Sequence, residues 1–382
     1  MARRKYWVWL SCVSGVRPWA KYRLVEKLGS PEAVFFAGEE ELSAVEGIQP
    51  GEVRRLMDKS MERASRAQAL CDERGIQILT VQDAEYPERL RRISDPPVVL
   101  YVWGKLPPVD DLTVVAVVGT RKATPYGLRM AGKLGRELAE QGAVVISGLA
   151  EGCDGAAMAA ALQGGGVVLG VLGTAIDQVY PSKNRELFAE VKSRGALISE
   201  YPPGMRTYPA DFKVRNRIIT GLCVGVVVVE APKKSGTQNT AGHALEQGRD
   251  IFAVPGNADA EACMGCNELI QSGAYAVTCG EDVICQYAGR NDLGLMKPAA
   301  IPIKKEIDKP EDIVYIDLTD DLEELPPAQQ KVLRAMTRPD MHADEIIEAA
   351  ALPARDALAA LTMLQIGGYV TQGAGKRYTR KK

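Results

Sequence analysis

Aromatic residues, histidine and net charge are all scarce in this chain. Phe, Trp and Tyr together make up 6% of its 382 residues, so the cores must consist mainly of aliphatic side chains. The formal net charge is −2, which excludes a protein that is basic throughout. A nucleic-acid site would therefore have to be a local cationic patch. The two histidines, His243 and His342, are expected to be structural, which leaves few candidates for acid–base catalysis.

Targeting and membrane segments are also missing. The N-terminus has a basic start and a short apolar run, but it lacks the long apolar core of a signal peptide. No window reaches the ~18 apolar residues of a membrane span. We therefore predict a cytoplasmic protein whose eight cysteines are reduced. Cys263 and Cys266 form a CxxC pair, but no second pair completes a structural zinc site, so we expect no metal.

Nucleotide-binding fingerprints do not occur. There is no GxxxxGK[ST] loop, which disfavours a P-loop ATPase, and no GxGxxG follows a predicted strand, which disfavours a dinucleotide cofactor. We therefore expect no cofactor. Asp154, Asp177 and Glu230 lie near predicted strand ends, where we interpret them as groups that orient a cation or cap a helix rather than as acid–base catalysts.

Four regions of the chain differ in pattern. Residues 1–75 predict a small helical domain, and a turn within 42–57 is typical of helix-hairpin-helix (SAM-like) domains, where it either faces a DNA phosphate or simply packs. Residues 76–288 alternate apolar strands with helices, which predicts an α/β fold with a doubly wound, mainly parallel sheet. Residues 289–324 are typical of a linker. Residues 325–382 predict a C-terminal winged helix that binds either duplex DNA or protein.

Most predicted strands end on glycine or a small polar residue. The carboxyl ends of strands in an open α/β sheet are where ligands gather, and glycine there lets an anion approach the backbone and the N-terminus of the next helix. Tight turns use glycine anyway, so purely structural turns are the alternative. Because cations lie at two of these turns, we favour an extended phosphate-binding edge. The turns are Gly119-Thr120-Arg121, Ser147-Gly148, Gly173-Thr174, Ser235-Gly236-Thr237 and Pro255-Gly256.

The stretch FKVRNRIITG, residues 212–221, concentrates positive charge without an acid of its own. It carries Lys213, Arg215 and Arg217 just before an apolar run. We predict a helix that starts near Arg215, where cations are unfavourable with the helix dipole unless an anion lies between them. A bound phosphate is therefore favoured over a solvated face. An acid-paired role stays open for one of the two arginines, with Asp154 or Glu230 as partner.

Ordered motifs from about residue 76 to 285 resemble the DNA-processing protein A (DprA/Smf) family. The end regions also fit a common layout of that family, so the resemblance extends over nearly the whole chain. The matching segments are YPERLRRISDPPVVLYVWG (86–104), VAVVGTRKATPYG (115–127), ISGLAEGCDGAAMAAAL (146–162), VLGTAIDQVYPSKN (171–184), ISEYPPG (198–204), FKVRNRIITGL (212–222), VVVEAPKKSGTQNTAGHALEQGRDIFAVPG (227–256) and NELIQSGA (267–274).

The resemblance implies an extended Rossmann-like fold that binds single-stranded DNA and has no established catalytic activity. It further implies a homodimer that protects incoming DNA and loads a RecA-type recombinase in natural transformation. We expect Phe212 to stack on a base, because stacking holds a single strand regardless of sequence. Carried over by motif, phosphate contacts are expected at Gly119, Thr120, Arg121, Ser147, Gly148, Lys213, Arg215, Asn216, Arg217, Ser235, Gly236 and Thr237.

Three positions depart from the family pattern. Met158 stands where the family usually has His, Lys213 where it has Pro and Cys263 where it has Ser. Lys213 adds a cation to the predicted site. The Cys263 substitution accounts for half of the CxxC pair, which weakens the zinc hypothesis further.

Two other functions remain as alternatives. A nucleotide phosphoribohydrolase of the lysine-decarboxylase-like superfamily would use a PGGxGT-type loop with a glutamate close behind. The corresponding turn here, EAPKKSGTQNT, lacks both the glycine pair and that glutamate. The other alternative is a protein-interaction scaffold that does not bind DNA and acts through its two end domains.

Overall fold

The computed structural model describes residues 4–233, 235–290, 292–296, 314–315, 326–336, 340–366, 369–373 and 377–380. The chain divides into two compact units, Met1–Ile316 and Asp317–Lys382. Most of the predicted linker, 289–324, lies outside the described residues. No helix in the described part of the chain is both long and apolar enough to cross a membrane.

Short helices occupy the N-terminal segment, as the sequence predicts. Ser30 caps one of them by accepting a hydrogen bond from the Ala33 N–H at 3.0 Å. The Ser11 and Tyr101 hydroxyls are 2.7 Å apart, which joins the first helix to the sheet that follows. The helices are α1 (Arg4–Cys12), α2 (Pro18–Leu28), α3 (Pro31–Phe36), α4 (Glu39–Ser43), α5 (Pro50–Leu56) and α6 (Glu62–Arg74).

A nine-stranded sheet forms the centre of the first unit, and its strand order is β1-β2-β7-β5-β4-β3-β8-β9-β10. Strand β3 lies in the interior of the sheet, between β4 and β8, and all five of its residues are buried, as expected for an apolar β-branched run covered on both faces. The strands are β1 (Gln77–Thr80), β2 (Val99–Gly104), β3 (Val114–Val118), β4 (Val144–Ser147), β5 (Val168–Val171), β7 (Ala196–Ser199), β8 (Gly225–Val228), β9 (Asp250–Ala253) and β10 (Tyr275–Ala276), while β6 (Gln178–Val179) pairs with β11 (Val314–Tyr315) outside this sheet.

Helices connect these strands in the alternating manner that the sequence predicts. Thr124 begins one of them by accepting from the Gly127 N–H at 3.2 Å, and Pro125 follows at its first turn. The helices are α7 (Glu88–Arg91), α8 (Pro125–Glu140), α9 (Cys153–Gln163), α10 (Arg185–Arg194), α11 (Asp211–Leu222), α12 (Gly236–Glu246), α13 (Met264–Gln271) and α14 (Gly280–Ile284).

The C-terminal unit has its own apolar core, which includes Val332, Ile346 and Leu361. Its three-stranded sheet has the order β12-β14-β13. The predicted three helices and hairpin are present as α15 (Pro327–Ala335), α16 (Ala343–Ala350), α17 (Ala354–Ile366), β12 (Met341–His342), β13 (Val370–Gln372) and β14 (Arg377–Arg380).

One feature of the sheet unit adds detail to the predicted mainly parallel sheet, and another differs from the sequence prediction. Strand β2 runs antiparallel to both β1 and β7, so one edge of the otherwise parallel sheet is antiparallel. Helix α11 begins at Asp211 rather than near Arg215, because the chain turns into the helix directly after Ala210. Arg215 and Arg217 therefore lie in its second turn, and the helix-dipole argument for a bound phosphate does not apply to them.

Candidate nucleic-acid interface

A small pocket lies at the carboxyl ends of β4 and β5, where the loop after β3 meets the start of α11. Its volume is about 130 Å³. We call it the Phe212 pocket. It is lined by Arg121, Gly148, Ala150, Glu151, Tyr180, Pro181, Phe212 and Arg215.

Phe212 is held in this pocket between a cation and a second aromatic ring. The Arg121 guanidinium carbon lies 5.5 Å from the centroid of the Phe212 ring, and the Tyr180 ring centroid lies 5.1 Å from it. Gly173 backs the ring, and a Cβ there would come within 2.8 Å of Phe212 Cδ1. Phe212 is half-buried and Arg121 is exposed, so both present surface to a ligand. Tyr180 was not predicted as a site residue, although it lies within the VLGTAIDQVYPSKN motif.

Arg215 forms the buried wall of the same pocket. Its Nη1 donates to the Gly148 carbonyl at 2.9 Å and also to the Val171 carbonyl, so the guanidinium joins the ends of β4 and β5. A Cβ on Gly148 would collide with this guanidinium, which explains the glycine at that position. Burial lowers the pKa of Arg215 to about 10, against the opposing effect of Asp154, and the group stays cationic at neutral pH.

Arg217 does not reach the pocket. Its side chain is 1% exposed, its Nη2 donates to both Glu200 oxygens at 2.9 Å, and its Nε donates to Asp95 Oδ2 at 2.9 Å. Burial by itself lowers the pKa of Arg217, but Glu200 and Asp95 outweigh burial and raise it. The ion-pair hypothesis therefore applies to this arginine, although the predicted partners, Asp154 and Glu230, were wrong. Asp95 and Glu200 are distant from Arg217 in sequence, and no local signal indicates them.

Asp154 accepts hydrogen bonds from two backbone N–H groups that we predicted to bind a phosphate. It is buried and accepts from the Gly119 N–H at 3.3 Å and from the Gly148 N–H at 3.1 Å. Burial raises the pKa of its carboxyl group, against the opposing effects of Arg215 and of these hydrogen bonds. Ser147 is fully buried, and its hydroxyl donates to the Val117 carbonyl at 2.7 Å. Gly119, Ser147 and Gly148 thus organise the sheet edge from inside instead of offering donors to a ligand.

The remaining predicted residues lie on the rim or at the next helix. Thr120 is half-buried and its hydroxyl accepts from the Lys122 N–H at 3.2 Å, while Lys213 is exposed at the start of α11. Asn216 donates to Asn239 Oδ1 at 3.3 Å, which connects α11 to the first turn of α12.

The predicted Ser-Gly-Thr turn forms the N-terminus of α12. Ser235 is the N-cap residue, and its buried hydroxyl oxygen has no hydrogen-bond partner among the described residues. Gly236 is exposed, whereas Thr237 is buried. Asn216 contacts Asn239, which follows this turn in α12, so the predicted residues divide into a pocket group and an α12 group.

The fold and these contacts define a Rossmann-like α/β protein with a cationic, aromatic cleft at the carboxyl edge of its sheet. The family model for DNA recombination-mediator protein A matches residues 77–288, and the model for the DprA winged helix domain matches residues 317–376. The chain belongs to the DNA recombination-mediator protein A (DprA/Smf) family, as its motifs predict.

Curated relatives and solved structures agree with this assignment. Protein Smf of Synechocystis is 33% identical over 100% of this chain and 99% of its own length. The X-ray structure of DNA processing protein A from Streptococcus pneumoniae has a TM-score of 0.65 at 33% identity and covers 74% of this chain and 97% of its own. A structure of DNA processing protein A from Helicobacter pylori, described for its single-stranded DNA binding mode, has a TM-score of 0.50 at 30% identity and covers 55% of this chain and 95% of its own. These matches do not favour the phosphoribohydrolase alternative.

Proposed function

We propose that this protein binds single-stranded DNA at the Phe212 pocket. Its contacts to the DNA phosphates do not depend on the base sequence. The observation that carries the proposal is the exposed Arg121 guanidinium over the face of a half-buried Phe212 ring. A guanidinium matches the geometry of a phosphate, and an aromatic face stacks any base. The single-stranded DNA binding named for the Helicobacter pylori relative supports the same class of ligand.

The roles within the site follow from burial. Arg121 and Lys213 are exposed and serve as the phosphate-binding cations, with Thr120 beside them. Phe212 contacts the base, and Tyr180 holds its ring in position. Arg215 contributes positive charge from the wall while it fixes the two strand ends. The α12 group, Ser235 to Thr237 with Asn216, provides a second contact for the same strand.

We assign no catalytic step to this site. Asp154 is occupied by two backbone N–H groups, and Glu230 accepts from the Thr124 N–H and hydroxyl. Both carboxylates therefore hold the loops in place.

Salt-dependent titration of labelled oligo-dT against duplex of the same length tests the proposal. Each phosphate neutralised on a single strand contributes about −0.7 to the slope of log K against log salt, so affinity should fall steeply with salt and exceed that for duplex. Arg121→Ala should weaken binding to every sequence. Arg136→Ala is the matched control, because Arg136 is exposed on α8 outside the pocket. An Arg121→Ala protein that binds like the control would contradict the assignment.

The strand is proposed to pass from this site to a RecA-type recombinase, and the protein to act as a homodimer. The description of the matching family model, a recombination-mediator protein, supports a role in recombination. The homodimer is an expectation that comes from the family resemblance of the motifs. Sedimentation of the full chain tests the dimer, and recombinase filament growth on coated single strands, with and without this protein, tests the loading. A monomer throughout the micromolar range, or unchanged filament growth, would contradict the respective statement.

A further inference from the structure

The aromatic contact of the Phe212 pocket joins two separate segments of the chain. Tyr180 belongs to the segment that contains β6, residues 172–181, and Phe212 follows the loop from β7 to α11, residues 200–210. We call these the Tyr180 segment and the β7–α11 loop. The two ring centroids are 5.1 Å apart. Contacts that fix one segment against the other therefore also fix the two rings.

Two buried polar side chains tie the segments together. The Thr207 hydroxyl accepts from the Ala175 N–H at 3.2 Å and donates to Gln178 Oε1 at 3.0 Å. The Gln178 Nε2 donates to the Met205 carbonyl at 3.1 Å. Each of these bonds crosses from the Tyr180 segment to the β7–α11 loop. Loss of either side chain would therefore loosen the loop that leads into Phe212.

Asp177 forms a third tie and also contacts the N-terminal helices. Both of its oxygens accept from the Gly204 N–H, at 3.0 and 3.1 Å, which joins the same two segments. Arg74, the last residue of α6, donates from Nη1 to Asp177 Oδ2 at 3.3 Å. The Arg74 and Asp177 side chains are 17% and 3% exposed, so salt screens this ion pair only weakly. Arg74 thus supplies the cation for a carboxylate that holds the β7–α11 loop.

Removal of this cation would act on the far end of the same loop. The Asp177 carboxylate would be buried without a partner, which is unfavourable unless the loop opens and water reaches the group. Opening breaks the bonds to Gly204. The end of the loop is coupled to α11, because Asp211 Oδ2 accepts from the Tyr208 N–H at 2.8 Å. A displacement of the loop is therefore transmitted to the first turn of α11, which carries Phe212.

We propose that Arg74 is a positioning residue for the single-strand site: through Asp177 it holds the β7–α11 loop so that Phe212 meets a base. The inference rests on the proposed single-strand binding. It gives the N-terminal helices, α1 to α6, a role in that site. Arg74 does not line the Phe212 pocket, so we assign it no phosphate contact of its own.

Two measurements on the full chain test this proposal. Anisotropy with (dT)20 gives the affinity and its salt slope. Irradiation of the same strand with several thymines replaced by 5-iodouracil, which cross-links to an aromatic ring that it stacks on, reports the contact with Phe212. Arg74→Met should weaken binding about tenfold, the size of one lost stacked base. It should also lower the cross-linking yield at Phe212 severalfold, even at saturating protein.

A rescue and a matched control accompany this variant. Arg74→Lys keeps the cation and should restore most of the cross-linking yield. Arg66→Met removes an exposed arginine from the same helix, α6, and should behave like the native protein. The salt slope of Arg74→Met should be unchanged. A slope less steep by about 0.7 would show that Arg74 itself binds a phosphate, and would overturn the positioning role.

A double variant separates positioning from a general loss of stability. In a Phe212→Ala protein, Arg74→Met should cause little further loss of affinity, because the contact that it positions is already absent. A second tenfold loss in that background would overturn the proposal.

Thr207→Val covers the case in which Arg74→Met does not fold, as judged by circular dichroism. It removes a tie between the same two segments without a change of charge, and it should lower the cross-linking yield in the same way. A native yield for the folded variant, Arg74→Met or Thr207→Val, overturns this inference and leaves single-strand binding intact. Failure of the native protein to bind (dT)20 overturns the proposed function and this inference with it.

Discussion

The exposed rim and the buried layer of the candidate site use the same residue types for different purposes. On the rim, Arg121 lies in solvent over the ring of Phe212. In the layer below, Arg217 is paired with Glu200 and Asp95. Both arginines were predicted to contact DNA phosphates, with an ion-pair role left open for Arg215 or Arg217. A guanidinium can therefore bind a phosphate through its N–H groups only where no acceptor within the protein already binds them.

Arg217→Met should cause the largest loss of stability. It leaves the Glu200 carboxylate buried without its cation, which costs about 3–5 kcal/mol of unfolding free energy when one partner of a buried pair is removed. Urea denaturation measures the loss. The double variant Arg217→Met, Glu200→Gln should recover part of it, because the orphaned charge is then absent. An Arg217→Met stability equal to that of the native protein would show that the ion pairs of Arg217 with Glu200 and Asp95 do not stabilise the fold.

Gly148→Ala should have the next largest effect. The added Cβ would meet the Arg215 guanidinium and push it from the carbonyls at the ends of β4 and β5, and overpacking of this kind costs about 1–3 kcal/mol. We expect both thermal stability and oligo-dT affinity to fall. Gly236→Ala is the control, since a Cβ there meets no neighbour within 4 Å and should leave stability nearly unchanged. Similar stability losses in both variants would show that the collision with Arg215 is not the cause.

Phe212→Ala should act on binding more than on folding. Loss of one stacked base costs about 1–3 kcal/mol of binding free energy, which anisotropy with oligo-dT measures. Phe36→Ala is the matched control, because that ring is exposed on the N-terminal helices far from the pocket in sequence. If Phe212→Ala and Phe36→Ala bind oligo-dT with equal affinity, Phe212 does not contact a base.

Lys213→Ala should have the smallest effect on DNA affinity. It should change the salt dependence of binding without changing stability, unlike substitutions in the buried layer. One lost phosphate contact reduces the steepness of the log K against log salt plot by about 0.7. Stability should be unchanged because the side chain is exposed. A salt slope equal to that of the native protein would show that Lys213 makes no phosphate contact in the complex.

Much of the architecture was predictable because its signals are local. Apolar β-branched runs such as Val114–Val118 alternate with amphipathic helices, and the order of these elements predicts a doubly wound sheet. An antiparallel strand is consistent with the predicted mainly parallel sheet, but the sequence did not indicate that β2 would be that strand, since the direction of a strand leaves no local mark. The start of α11 at Asp211 was not predicted, because the prediction placed the first turn at the cations near Arg215, four residues later.

The residues of the Phe212 pocket were predicted in part. Arg121 and Phe212 were identified from turn chemistry and from the family motif, and the structure brings them together. The occupation of the Gly119 and Gly148 N–H groups by Asp154 was not predicted. A carboxylate near a strand end can cap a helix, pair with a cation or accept from a loop, and only the folded geometry selects among these.

The order and type of the elements, the family and the glycine turns could be predicted from the sequence alone. Periodicity, turn residues and motifs each depend on residues that are close together in the chain. The tertiary structure alone decided which charges stay available. Asp95 lies 122 residues from Arg217 in the chain, yet the packing of α11 against the sheet brings their side chains to 2.9 Å and withdraws that arginine from solvent. Among the residues that the structure describes, no acceptor binds the Arg121 guanidinium over the Phe212 ring, so this guanidinium remains available to a ligand.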